Sequence, residues 1–483
     1  MSGPTARAAI AAPRVAVLLA LFAGPLLSGA VHPFVYVPLL AVFGFAGLLA
    51  WRLGGGLSGP LPGARLLLAL HALVLLQLVP LPRLLLRFLS PGSLAYWSTT
   101  ELVPGGARPI SVSPSDTLRG FAFLAALSLL ALFVWREMAA PPWPRRLAKT
   151  VALAGLGITV VAFVQAVSSH PHRIWGLVRP AWDWAVFGPY VNRNHFSGYL
   201  VMATPVAIGF ALEALSRFAG RWRHRRRAFL ALGDPEAASA LGWCAIVMTL
   251  VAGLLAAASR GAVSAFIATL FLLPLAARHR RRTAAAVLLL AALGFVWVGL
   301  GGFLGGFSRG IKASRLDLWV DMLPIAARFP ALGAGFNAFS VVYPWYQTVW
   351  RGHWIGQAHN EYLQALLETG ILGAVLFGTL FAIVIRRAAV RARSGPVDLG
   401  VFGAVVGLAL HNVVDFNWQI PANAAAWVAL AALAVRPVER KGDDAARARH
   451  HERWKGRPHR EKDAKVTAVL ESPAAGPIEL RRT

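Results

Sequence analysis

A chain that repeats apolar runs of about 20 residues, the length a helix needs to cross the hydrocarbon of a bilayer, has few folds open to it. Twelve such runs occur here, near residues 15–30, 35–51, 66–82, 118–135, 147–168, 196–214, 240–258, 262–277, 284–305, 367–386, 399–415 and 420–435. Because 57% of the 483 residues are hydrophobic and only 14% charged, no soluble domain could keep this much apolar surface from water. The expectation is an all-α polytopic membrane protein with about 12 transmembrane helices. The first run follows Arg7 and Arg14 and resembles a signal peptide, yet it leads straight into a second run and is read as a retained span. Cys244 is the single cysteine and lies inside a run, so no intrachain disulfide or cysteine metal site exists and redox chemistry is not expected.

A net charge of +27 raises the question of nucleic acid, and the placement of the charges answers it. With the N-terminus in the cytoplasm, most of the 48 Lys and Arg fall in cytoplasmic loops, as the positive-inside rule requires. The clusters RWRHRRR from Arg221 and RHRRR from Arg278 are then membrane anchors, not a nucleic-acid surface. Residues 1–436 read as one transmembrane domain. Residues 437–483 mix both charge signs without periodicity and are expected to be a disordered basic cytoplasmic tail near anionic lipid.

The opposite side collects the polar residues. It holds a loop at 84–117 containing ISVSPSDTLRG, a loop at 169–195 leading into NRNHFSGYL, and an SRG turn at Ser259–Gly261. A large loop of about 306–366 follows, between the ninth and tenth spans. Arg193 and Arg260 stand at span mouths, where a charge leaning into hydrocarbon costs a few kcal/mol unless compensated. Snorkelling to lipid phosphate or pairing with a carboxylate is the plain account. The sharper one is that two forked guanidinium groups at one mouth hold a diphosphate.

Arg315 opens SRLDLWVDMLPIAARFP, expected to be an amphipathic helix with Leu316, Trp319, Val320, Leu323 and Ile325 toward one side. Asp317 and Asp321, one turn apart, are expected on its solvated face, and no metal site is expected. GAGFN at Gly333–Asn337 lacks the lysine of a phosphate loop and is read as a turn without a ligand. His359 is a candidate base for an attacking hydroxyl, or else a helix cap or packing residue; Asn360, Glu361 and Glu368 on the same element are candidates for holding substrate, and either glutamate could orient the imidazole or both could equally be satisfied structural acids. His411 and Asp415 lie four apart, on one helical face, as either a functional pair or a lock between the last two spans. Tyr343, Trp345, Tyr346, Trp350 and Trp354 suit either the headgroup level or stacking on sugars.

Seven elements in one order carry a resemblance: QLVPLP at Gln77–Pro82, NRNHFSGYL, ASRGA, SR-x-x-x-W, P-x-L-G-x-G-x-N, HNEYLQ-x-x-x-ETG-x-x-G and HN-x-V-D-F-N-x-x-I-P-A-N. Together they resemble the O-antigen ligase and polymerase superfamily of the Wzy/WaaL type, over about residues 10–436. The NRNHF and HN-x-V-D-F-N forms look more like its exopolysaccharide-associated branch.

The resemblance implies a GT-C-like membrane fold in the bacterial inner membrane, and an inverting, metal-independent and cofactor-free glycosyltransferase on the periplasmic face. Its donor would be an undecaprenyl-diphosphate-linked glycan and its acceptor a saccharide or a lipid core. By motif, Arg193 and Arg260 would grip the diphosphate, with Arg315 serving the same anion. His359 would orient or deprotonate the acceptor hydroxyl, and His195 would contact substrate. The expected partners are membrane lipids and other polysaccharide assembly proteins. The competing readings are a flippase or exporter of the lipid-linked glycan and a non-catalytic scaffold.

Overall fold

The computed structural model describes residues 4–53, 59–100, 105–178, 186–222, 234–277, 314–349, 352 and 354–437. Helices fill this part of the chain: α1 (Pro4–Leu26), α2 (Pro33–Leu53), α3 (Ala64–Leu78), α4 (Arg83–Leu89), α5 (Pro91–Thr100), α6 (Pro114–Glu137), α7 (Trp143–Ala166) and α8 (Arg193–Trp222). There follow α9 (Pro235–Ala256), α10 (Arg260–Ala276), α11 (Ser314–Arg328), α12 (Phe339–Val342), α13 (Glu361–Arg391), α14 (Pro396–His411) and α15 (Pro421–Ala434). Among the described residues there is no strand, only isolated β-bridges.

Six helices, α2, α6, α7, α8, α9 and α13, are long and apolar enough to cross a membrane, and α1, α3, α10, α14 and α15 are shorter apolar helices. Eleven of the twelve expected runs thus appear as apolar helices. The run at 284–305, the RHRRR cluster and the tail from 438 onward lie outside the described residues, as does Trp350.

The bundle is built around α8, the most buried of the long helices, which packs chiefly on α14, α9 and α7. Small residues permit its close approach to α14. A Cβ at Gly400 would lie 2.4 Å from the Pro205 carbonyl oxygen, one at Gly403 2.8 Å from the Pro205 ring, and one at Gly407 2.8 Å from Val201. Between apolar spans, where lipid is as apolar as leucine, such backbone proximity is a main source of packing energy.

A second interlock holds the segment after α11 against α13. Gly370 adopts φ 65° and ψ −170°, which breaks the helical hydrogen-bond ladder of α13. The carbonyls of Leu367 and Glu368 instead accept from the N–H groups of Ala334 and Gly335, while the N–H groups of Ile371 and Leu372 donate to Pro330 and Ala331. Gln77 completes the joint: its amide nitrogen donates to Leu332 and Glu368 carbonyls at 2.6 and 2.8 Å, and its amide oxygen accepts from the Phe336 N–H at 2.9 Å. The Gly333–Asn337 turn is therefore a structural clamp in which Gly333 and Gly335 have positive φ and no room for a side chain.

Three expectations for the loop are corrected. Helix α11 buries Leu318, Met322 and Ile325, whereas Leu316, Val320 and Leu323 are exposed, so the residues expected on one side are divided between two. Asp321 is not solvated: it is 7% exposed and accepts from the Tyr343 hydroxyl at 2.9 Å and the Thr348 N–H at 3.1 Å, while Asp317 is exposed. Tyr343 is fully buried and stacks on Phe339, so among the described residues of the aromatic run only Trp345 and Trp354 are outward-facing. Sequence periodicity reports how apolar a helix face is, and here both faces are apolar.

A methyl group at Gly400 would meet backbone, which cannot yield, so Gly400→Ala is expected to destabilise the α8–α14 contact by about 1–3 kcal/mol. Gly378→Ala, where nothing lies within 4 Å, is the control and is expected to be neutral or slightly stabilising. Thermal unfolding of the two purified variants in detergent measures the difference.

Candidate functional site

Helix α14 stops at His411, not at 415 as its apolar run suggested, and this early stop makes the site. Asn412 turns the chain: its side-chain oxygen accepts from the Asn417 N–H at 3.0 Å and from the Asn417 amide at 3.1 Å. Residues 412–420 then form a compact connector into α15, closed by one 3-10 turn at Asn417–Gln419. Every candidate side chain except Arg193 and Glu368 is reached from this connector through its contacts or through those of its immediate neighbour.

Asn417 is fully buried and makes four hydrogen bonds to three residues. Besides its bonds to Asn412, its amide nitrogen donates to His411 Nδ1 at 3.1 Å and its oxygen accepts from Asn423 at 3.0 Å. Asn423 also donates to the His195 carbonyl at 2.8 Å and accepts from the Tyr190 hydroxyl at 2.9 Å. The amide lies directly over Gly198, where a Cβ would be 1.9 Å from its oxygen. Thus the NRNHFSG and HN-x-V-D-F-N motifs are two halves of one joint. With Nδ1 of His411 accepting, its Nε2 carries the proton and faces Asp415 Oδ2 at 3.5 Å.

Asp415 also faces His195, with Nε2 3.6 Å from Oδ1, and its own carboxylate accepts from the Phe416 N–H at 2.8 Å. Burial alone would raise the Asp415 carboxyl, but the facing imidazole of His195, with those of His411 and His359, holds it below the usual carboxylate range. Phe416 meets two imidazole rings edge-on, His195 at 4.6 Å and His359 at 4.8 Å between centroids. Arg315, half-buried at the start of α11, donates to the Val414 carbonyl. Helix α10 begins at the half-buried Arg260, and its next residue, Gly261, is packed against Val414 and the His411 ring. Arg193, the first residue of α8, is exposed, while His195 two positions on is turned inward.

His359 does not cap α13. The cap is Asn360, whose side-chain oxygen accepts from the N–H groups of Tyr362 and Leu363 at 3.1 and 3.0 Å. His359 precedes it with φ 52°, in the left-handed region that non-glycine residues enter at a cost. The two glutamates are occupied by the protein itself. Glu361, buried, accepts from the Trp418 N–H at 2.8 Å and Gln419 at 3.4 Å, and its own N–H donates to Asn412. Glu368, also buried, accepts from the N–H groups of Asn337 and Phe339 and from Gln364. One glutamate therefore ties α13 to the connector and the other ties it to the glycine clamp.

Three helix N-termini, those of α8, α10 and α13, abut the connector through His195, Gly261 and the Glu361 N–H. Their aligned peptide dipoles add positive potential where Arg260 and Arg315 enter. Among the described residues no group of three or more His, Cys, Asp and Glu is disposed to hold a metal ion. Sequence reasoning missed Phe416, Asn417 and Asn423 as site-forming residues, although all three belong to the last motif it singled out.

Because a carboxylate with a depressed folded pKa stabilises the fold above its unfolded value near 4 and ceases to do so as pH falls through the folded value, Asp415→Asn has a defined pH signature. The variant is expected to be less stable than the parent above about pH 4, with the gap closing in stronger acid. Melting temperatures across that range measure it.

No curated protein matches the chain. A family model described as O-Antigen ligase matches residues 245–378. That segment contains Arg260, Arg315, His359, Asn360, Glu361 and Glu368, while Arg193, His195, His411 and Asp415 join them from outside it. The match over residues 245–378 supports a relationship to the O-antigen ligase/polymerase superfamily, and the described residues are helical, with several helices apolar enough to cross a membrane.

Proposed function

We propose that the chain is a twelve-span glycosyltransferase that moves a glycan from an undecaprenyl-diphosphate-linked donor to a saccharide acceptor at the periplasmic face of the bacterial inner membrane. The acceptor is a growing chain in a polymerase or a lipid-linked core in a ligase. The observation that carries the reading is the connector at 412–420, which gathers imidazoles, one carboxylate and two arginine-bearing helix starts at the ends of separate helices. A flippase would instead place polar groups along a path open in turn to both sides.

In this reading Arg193, Arg260 and Arg315 take the diphosphate, helped by the three helix N-termini. His359, held ready by its left-handed backbone and by the Phe416 ring, accepts the proton of the acceptor hydroxyl. The hydroxyl oxygen attacks the anomeric carbon from the face opposite the leaving group. As that carbon–oxygen bond forms, the bond to the diphosphate oxygen breaks and its electron pair leaves with the lipid diphosphate, so the configuration inverts. The cationic groups stabilise the charge growing on the leaving oxygen, which matters more in a site shielded from water. No metal ion is required in this scheme. Asp415 supports the positive charge that appears on the imidazoles, while Asn360, Glu361 and Glu368 set the position of His359 and leave substrate contact to other groups.

Purified protein incubated with a lipid-diphosphate oligosaccharide and its acceptor is expected to form a new glycosidic bond. His359→Ala is expected to slow transfer by about 10²–10⁴-fold, the usual contribution of a general base, and Arg260→Ala by a comparable factor through loss of the leaving-group contact. Transport of labelled donor into vesicles with no new bond, or a wild-type rate retained by both variants, would exclude the proposal.

A further inference from the structure

Two short helices on the site's side of the bundle expose apolar faces that no described residue covers. On α11, Leu318, Met322 and Ile325 point into the protein, and on the opposite face Leu316, Val320 and Leu323 are exposed, Val320 at 65%. On α4, Leu86 is buried while Leu84, Leu85, Phe88 and Leu89 are exposed, Phe88 at 75%. Exposed apolar residues scattered singly need no explanation, but seven on two helices do.

The anchorage of the two helices says what covers them. The start of α11 is tied by Arg315 to Val414, beside the ends of α10, α13 and α14. The segment just beyond its other end is tied by Leu332 to Gln77, in the last turn of α3. Helix α4 starts a few residues after α3 stops, and its buried Leu86 shares a small cluster with Leu332. A helix of 15 residues, about 22 Å long, that is pinned near both ends to the termini of apolar spans runs along the membrane boundary and does not stand away from it. At that depth an apolar face is covered by lipid. Arg87 on α4 and Arg328 in the last turn of α11 are exposed beside the leucines. In a protein–protein contact these cations would have to be desolvated, whereas at a bilayer surface they reach lipid phosphates while their stems lie on hydrocarbon.

We infer that α4 and α11 form an interfacial belt, with Leu84, Leu85, Phe88, Leu89, Leu316, Val320 and Leu323 seated in the lipid leaflet on the site's side of the membrane. The belt holds Arg315, the residue next to Leu316 on the same helix, at the depth of lipid phosphates. That last consequence rests on the diphosphate reading above; the belt itself rests on exposure and anchorage alone.

The test does not use activity. In a Cys244→Ser background, nitroxide labels are placed at Val320→Cys, Phe88→Cys and, as an aqueous reference about a quarter-turn round α11, Asp317→Cys, and the protein is reconstituted into phosphatidylglycerol–phosphatidylethanolamine vesicles. Oxygen is expected to relax the labels at 320 and 88 more strongly than a water-soluble nickel chelate does, with the order reversed at 317. Free access of the nickel chelate to 320 and 88 would overturn the belt by placing both faces in water. Protection from both reagents would overturn it in favour of a protein contact, and dipolar broadening between labels would identify that contact as a second copy of the chain.

Discussion

The seat of the Asn417 amide over Gly198 is the contact on which the rest of the site depends. A buried primary amide has four hydrogen-bonding positions, and leaving one unmade costs about 1–3 kcal/mol. Here the amide bonds to the end of α14 and the start of α15 and packs over Gly198 in the first turns of α8, where Asn423 adds a bond to the His195 carbonyl. The glycine matters because it removes the one atom that would collide with the amide. Through this joint the proton of His411 is directed at Asp415, and Asp415 is brought to His195. Without the turn at Asn412 the helix would continue, and the carboxylate would follow its axis away from the His195 ring.

The second joint, between the glycine clamp and the break at Gly370, does for the large loop what the first does for the connector. A helix broken inside an apolar bundle exposes carbonyls and N–H groups that lipid cannot satisfy. The turn at 330–335 and the Gln77 amide satisfy them. Glu368 is buried for the same reason, its oxygens saturated by backbone N–H groups of the clamp. The result is a rigid start to α13, and His359 is held just before it by the Asn360 cap and by the attachment of Glu361 to the connector. Two polar joints, each closed by glycine, thus fix the imidazoles and cationic groups that an apolar bundle alone would leave free to slide.

The residues themselves show how much of this was legible. Arg260, Arg315, His359 and the pair His411 and Asp415 were recognisable, because charge and imidazole at the ends of apolar runs are expensive and so stand out. Gln77, Asn417, Gly198 and Gly370 were visible only as letters in motifs, with no role attached. Their function is to fill or vacate space beside residues far away in the chain, and spacing along a sequence carries no record of such distances. Asp321 misled for a related reason: one turn from Asp317 it reads as part of a solvated face, but its partners Tyr343 and Thr348 come from a different element.

The apolar runs settle the solvent of this protein and the segments that form helices, since such runs satisfy their own backbone groups in only one way when no water is present. They also mark which residues are too polar to be there without a reason. Packing in three dimensions ends α14 before Asp415, selects the inner face of α11, and resolves Glu361 and Glu368 as acids bonded within the scaffold. Those outcomes turn on contacts of less than 4 Å between residues separated by tens to hundreds of positions, where the presence or absence of a single Cβ selects the packing.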